Sequence, residues 1–192
     1  MTPGPRHLAF PALAAFGGVF FFAGCATYVP VPKAYHHSNA RLSVAPPSGW
    51  LRYQDTGAAF VITRDGLQLE RIRIRVVRIG KKLGSSRRAY RSDMLPHEIA
   101  QLTLGLIEAR SETKGFKVHD IELAEVVGRD GYKVDATFRT RRGLRKRLRI
   151  YGAAVNGYVC EFHFLAADPV YFEKYVLDFE AMVASARITD GE

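Results

Sequence analysis

From Tyr132 to Ala166 the chain reads as three consecutive strands, and their alternation dictates what the rest of the sequence must pack against. Tyr132, Val134, Ala136 and Phe138 alternate with Lys133, Asp135, Thr137 and Arg139, and Leu148 and Ile150 alternate with Arg147 and Arg149. Period-two alternation is the pattern of a half-buried strand. An Arg141-Arg142-Gly143 loop, with Gly143 supplying positive φ, sets Val134 against Ile150, Ala136 against Leu148 and Asp135 against Arg149. A two-residue Arg142-Gly143 turn would mix charged and apolar residues on both faces, so the three-residue loop is preferred. The same logic favours a three-residue Val155-Asn156-Gly157 loop, pairing Ile150 with Phe162, Leu148 with Phe164, Arg149 with His163 and Tyr151 with Glu161. The expected meander then has an apolar face, with Cys160, Phe162 and Phe164 on it, and a polar face carrying Asp135, Arg149, Glu161 and His163.

An apolar sheet face needs a cover, and two helical segments supply it. The last is expected after an Asp168 N-cap and Pro169, with Phe172, Tyr175, Val176, Phe179, Met182, Val183 and Ala186 at helical spacing. The first runs from a cap at Ser92 or Asp93 to about Lys114, where Gly115 ends it, with Ile99, Leu102, Leu106 and Ala109 on one side. Short strands precede it around 41–44, 50–53 and 58–63. A long strand, Leu67 to Ile79, shifts its apolar parity near Glu70-Arg71 and so is expected to hold a β-bulge. The fold class that follows is α+β: an antiparallel twisted sheet of about six to seven strands, ending in a meander, with two main helices packed on it. The order of strands, helix, meander and terminal helix over residues 41–188 resembles the Mog1/PsbP-type α/β sandwich, which implies helices packed on the sheet's faces.

The N-terminal stretch has a different character. After Met1-Thr2-Pro3-Gly4-Pro5-Arg6-His7 comes an apolar run from Leu8 to Ala23, shorter than the roughly 20 residues of a bilayer span and ending in small residues like a cleavable export signal. Phe22-Ala23-Gly24-Cys25 resembles the four-residue lipobox of bacterial lipoproteins, with Phe where Leu is usual. That resemblance implies cleavage between Gly24 and Cys25, a diacylglycerol thioether on Cys25, and anchoring in a membrane by buried acyl chains. Ala26, in place of the Asp that retains lipoproteins at the inner membrane, implies the periplasmic face of the outer membrane in a Gram-negative cell. The expected organisation is a signal peptide over 1–24, a lipidated Cys25 with an extended linker to 40, and one domain over 41–190. His36 and His37, in the linker, are read as solvated rather than metal-binding, since two adjacent histidines lack a third ligand.

Chemistry is sparse. Cys25 and Cys160 are the two cysteines, and acylation of the first leaves the second without a disulfide partner. No nucleophile elbow, zinc-binding helix motif, phosphate loop or dinucleotide fingerprint is present, so no metal, cofactor or catalytic residue is assigned. The chain carries 28 basic and 19 acidic residues, and by count twenty of the basic ones are arginine. Two stretches concentrate them: Lys81, Lys82, Arg87, Arg88 and Arg91, and then Arg139, Arg141, Arg142, Arg145, Lys146, Arg147 and Arg149. Behind an export signal, and without interleaved aromatics, these argue against nucleic acid. They are candidates for anionic lipid headgroups, lipopolysaccharide phosphates or an acidic envelope protein. The leading expectation is a membrane-anchored envelope protein with a basic binding or scaffolding domain. The alternative is an envelope hydrolase using Asp135, Glu161 and His163 on one sheet face.

Overall fold

The computed structural model describes residues 27–54, 59–84, 86–110 and 112–189; the leader, Gly24 and Cys25 lie outside them. In chain order the elements are β1 (Tyr28–Pro30), β2 (Tyr35–His37), β3 (Leu42–Val44), β4 (Leu51–Tyr53), β5 (Phe60–Thr63), β6 (Glu70–Arg78), α1 (Pro96–Glu108), β7 (Lys114–Val126), β8 (Arg129–Arg139), β9 (Arg145–Val155), β10 (Tyr158–Ala167), α2 (Val170–Ala184) and β11 (Arg187–Ile188). Eight strands form one antiparallel sheet in the order β1-β4-β5-β6-β10-β9-β8-β7, and three form a small sheet, β11-β3-β2. The expected six to seven strands in one sheet are thus corrected to eleven in two among the described residues. The shortfall lies in three-residue strands such as β1 and β2, too short to show a period, inside the stretch read as linker.

Both faces of the large sheet are covered. On one, α1 sets Ile99, Leu104 and Ile107 against Tyr132, Val134, Leu148 and Ile150, with Leu83 and Tyr90 from the preceding loop. On the other, Phe172, Tyr175, Phe179 and Met182 of α2 pack on Phe60, Ile62, Ile72, Ile74, Phe162 and Phe164, joined by Leu42, Val44 and Trp50. Phe164 lies 5.2 Å from Phe172 and 5.4 Å from Phe179 between ring centroids. The expectation of one apolar and one polar face is therefore wrong, and the turn between β9 and β10 explains it. Asn156 and Gly157 have φ of +50° and +77° and close a two-residue turn, with Tyr158 paired to Val155. Phe162 consequently opposes Tyr151, and Phe164 opposes Arg149. Sliding a strand by one residue moves all of its side chains to the other face. The β8–β9 register, by contrast, is the one expected: Val134 opposes Ile150, Asp135 opposes Arg149 and Ala136 opposes Leu148.

Three local expectations are also revised. The bulge near Glu70-Arg71 is absent, since β6 pairs with β10 without interruption from Glu70 to Arg78. Leu67 and Leu69 belong instead to a turn in which the N–H of Leu69 donates to the Gly66 carbonyl at 2.8 Å. One oxygen of the buried Glu70 carboxylate pins the preceding turn, accepting the N–H groups of Arg64 at 2.6 Å and Asp65 at 2.9 Å and the Thr63 hydroxyl at 2.8 Å. Helix α1 starts later than expected, at Pro96, where a missing N–H costs nothing. The Glu98 carboxylate there reaches back to the N–H of Leu95 at 2.8 Å. Asp168 does not cap α2, because its carboxylate is taken by Arg145 Nε at 2.8 Å, and the helix starts at Val170.

Candidate functional site

The register shift decides what the polar residues of the meander can do together. Directly opposed residues share a face, so Asp135, Arg149 and Phe164 form one row. Tyr132, Gly152, Glu161 and Arg75 form another, on the face that α1 covers. The constellation expected from sequence, Asp135 with Glu161 and His163, is divided by the sheet.

Glu161 is fully buried and is the centre of a polar cluster inside the α1 layer. One carboxylate oxygen accepts the hydroxyls of Thr103 at 2.5 Å, Tyr132 at 2.7 Å and Tyr90 at 3.1 Å. The other accepts Arg75 at 2.6 Å and His163 Nε2 at 3.1 Å. Tyr132 crosses the adjacent strand to get there, and it can do so only because position 152 is glycine: a Cβ there would meet the Tyr132 ring at 2.6 Å. Burial alone would push the Glu161 carboxyl up, but hydrogen bonds from His163 and Thr103 and the charge of Arg75 more than cancel it, and the group stays ionised far below the usual range. Burial holds His163 neutral by lowering its pKa against the pull of Glu161. It also raises the Tyr90 hydroxyl to about 12 and lifts the Tyr132 hydroxyl well above its ordinary value. A carboxylate with every lone pair engaged is an organising centre for five elements of the fold.

On the α2 face, Arg149 meets Asp135 at 2.8 Å and Glu180 at 2.5 Å, and Arg147 meets Asp135 at 3.4 Å and Glu173 at 3.3 Å. The Arg147 guanidinium lies 4.2 Å from the Phe172 ring centroid. Arg145, Arg147 and Arg149 of the second basic stretch are thus ion-paired. Arg145 is paired to Asp168, and Arg139 donates to the Gly143 carbonyl at 3.1 Å. Lys146 is buried, donating to the carbonyls of Gln68 and Leu69, and burial lowers its pKa to about 8. Arg141 and Arg142 sit at the exposed hairpin tip. The first stretch keeps more of its charge outward: Lys81, Lys82, Arg87 and Arg88 are exposed, while Arg91 pairs with Asp93 at 3.0 Å. The loop itself is fastened by Leu83 and Tyr90, both buried. Cys160 is buried and unpaired, and burial lifts its thiol to about 12, so it is inert packing.

Sequence reasoning missed Tyr90, Thr103 and Tyr132, whose role depends on tertiary approach. It also passed over Arg71, Arg73 and Arg75, for which a signal was present: Arg71-Ile72-Arg73-Ile74-Arg75 places arginine at every second position of a strand. These three point to the α1 face, opposite Leu165, His163 and Glu161. Two shallow clefts are also present. One of about 450 Å³ lies between the start of α1 and the β7–β8 hairpin, lined by Leu95, His97, Leu123 and Asp130. The other, of about 300 Å³, is lined by Tyr151, Glu180 and Val183. Among the described residues no group of His, Cys, Asp or Glu is arranged to hold a metal ion. His37 accepts the Ala40 N–H at 3.3 Å.

No family model and no curated protein matches the sequence. The fold does match solved structures. The solution structure of a cyanobacterial PsbP from Synechocystis superimposes with a TM-score of 0.58 at 12% identity, over 90% of this chain and 98% of that one. The Ran-binding protein Mog1p of Saccharomyces cerevisiae gives 0.53 at 8% identity, over 84% and 97%. A protein from Bacteroides thetaiotaomicron gives 0.51 at 13% identity, over 85% of this chain and 48% of its own. The chain thus has the fold that its element order resembles. At these identities the likeness concerns fold alone.

Proposed function

We propose that this chain is a lipid-anchored protein of the cell envelope whose folded domain works by binding at the membrane surface. The observation that carries the reading is Phe22-Ala23-Gly24-Cys25 closing a 16-residue apolar run directly ahead of a folded domain. No helix among the described residues is long and apolar enough to cross a membrane; the attachment this reading relies on is the acyl chains of Cys25. On this reading the tether is short. Strand β1 begins at Tyr28, three residues after Cys25, a span of at most about 10 Å at 3.3 Å per residue. The domain is held against the headgroups, with the β1–β4 edge nearest, where Tyr28 and Leu51 are exposed. Lys81, Lys82 and Arg87 add electrostatic attraction, about 1 kcal/mol for each basic residue that reaches an anionic surface. The hydrolase alternative loses support because its three residues do not share a face.

Fractionation of cells expressing the full chain tests the reading. Wild type stays with membranes through a high-salt wash, because acyl burial is insensitive to salt. Cys25→Ser moves to the soluble fraction or accumulates as an uncleaved precursor. Release of wild type by salt alone would refute lipid anchoring.

A further inference from the structure

The alternating arginines of β6 lead beyond the anchor. Arg71, Arg73 and Arg75 are successive residues on one face of the strand, about 7 Å apart, on the side that faces the α1 layer. They are not equivalent. Arg75 is engaged by Glu161 at 2.6 Å and by the Tyr90 hydroxyl at 2.9 Å. Arg71 makes one long hydrogen bond, to the Leu67 carbonyl at 3.4 Å. The Nε of Arg73 is buried and has no hydrogen-bond partner. Arg110, just after α1, lies near enough to both for its charge to depress their pKa values, after burial. Lys146 is also close enough to Arg71 to feel its charge. Among the described residues no ion pair within 4 Å involves Arg71, Arg73 or Arg110. The carboxylates that act on them are Glu112, near Arg71, and Glu161, near Arg73 and already saturated.

Three guanidinium groups with Glu112 as the one nearby carboxylate not already saturated repel one another and leave the buried Arg73 Nε unsatisfied, a costly arrangement for folding alone. An anion removes both costs. A carboxylate brings one charge and two oxygens; a phosphate monoester brings close to two charges and three terminal oxygens, which suits several guanidinium forks. We infer that Arg71, Arg73 and Arg110 form a binding site for a phosphoryl group, at the open edge of the α1 layer and beside the Glu161 cluster. The site stands whether or not Cys25 is acylated. If the anchor is present, a lipid headgroup phosphate is within the domain's surroundings; a free phosphorylated solute is the other source of the same chemistry.

The test uses the full chain in neutral detergent, titrated with inorganic phosphate against sodium chloride at matched ionic strength, with the thermal midpoint as readout. Phosphate should raise the midpoint saturably in wild type. It should bind at least about tenfold more weakly to Arg71→Gln/Arg73→Gln and to Arg110→Gln, the loss of one charge-assisted hydrogen bond, and unchanged to Arg142→Gln. In chloride alone the Arg71→Gln/Arg73→Gln variant should be as stable as wild type or more so, because repulsion is relieved; a merely structural role would make it less stable and overturn the assignment. Sedimentation with phosphatidic acid vesicles against phosphatidylcholine vesicles identifies the source. Binding lost in the double variant points to a lipid phosphate, and phosphate binding without vesicle dependence on these arginines points to a solute. Equal effects of phosphate and chloride, or equal affinity in the variants, would overturn the site.

Discussion

Glu161 collects one bond each from Arg75 on β6, Tyr90 in the basic loop, Thr103 on α1, Tyr132 on β8 and His163 on its own strand. A buried charge so placed is costly to disturb, because removing its charge leaves Arg75 uncompensated. Glu161→Gln should therefore cost about 3 kcal/mol of folding stability, measured by urea unfolding. The sign of the pH dependence follows from the same cluster. The pKa of His163 is lowered on folding, so below about 6.5 the unfolded chain takes up a proton that the folded chain refuses. Stability contributed by the neutral ring is present above that pH and lost as pH falls through it. Glu161 acts in the same sense at lower pH, its stabilisation fading below about 4.3 as the unfolded carboxyl protonates. Urea midpoints measured from pH 8 to pH 5 should fall, and His163→Gln should flatten that slope.

At the scale of elements, the β9–β10 turn does most to place these residues. Gly157 has φ of +77°, so Gly157→Ala should cost about 1 kcal/mol. Gly152→Ala should cost more, about 1–3 kcal/mol for overpacking, because the new methyl group meets the Tyr132 ring that reaches Glu161. Thermal unfolding of the two variants gives the comparison. The β8–β9 hairpin was legible in the sequence because its residues alternate cleanly and a wrong register mixes charge with core. The β9–β10 hairpin was not. With Tyr151, Ala153, Val155, Val159 and Cys160 apolar on both parities, two registers look alike until it is known that helices cover both faces. Asn156-Gly157 favours the two-residue turn on local grounds, and that local preference prevailed over the assumed polar face. Helix existence was likewise readable from periodicity. The cluster around Glu161 was not, since Tyr90 and Thr103 come from segments whose approach no spacing encodes.

At the scale of the whole molecule, a large sheet is sandwiched by α1 and α2, and its two edges differ. Strand β7 carries exposed charges along an open edge, Lys117, Asp120 and Glu122 among them, which guards it against pairing with other chains. The opposite edge, β1, begins three residues after Cys25, so the proposed anchor would present one orientation of the domain to the membrane. The arginine stripe of β6 lies three strands in from that edge. On the proposed reading, sheet order puts the strand that follows Cys25 and the cationic strand β6 in one sheet. All of this turns on the modification of one residue. Intact mass and N-terminal peptide analysis of the mature protein from membranes, with metabolic incorporation of a fatty-acid probe, tests it most directly. The account predicts a chain beginning at Cys25, carrying a diacylglyceryl thioether and losing the probe in Cys25→Ser. An unmodified Cys25, or probe incorporation that survives Cys25→Ser, would contradict it.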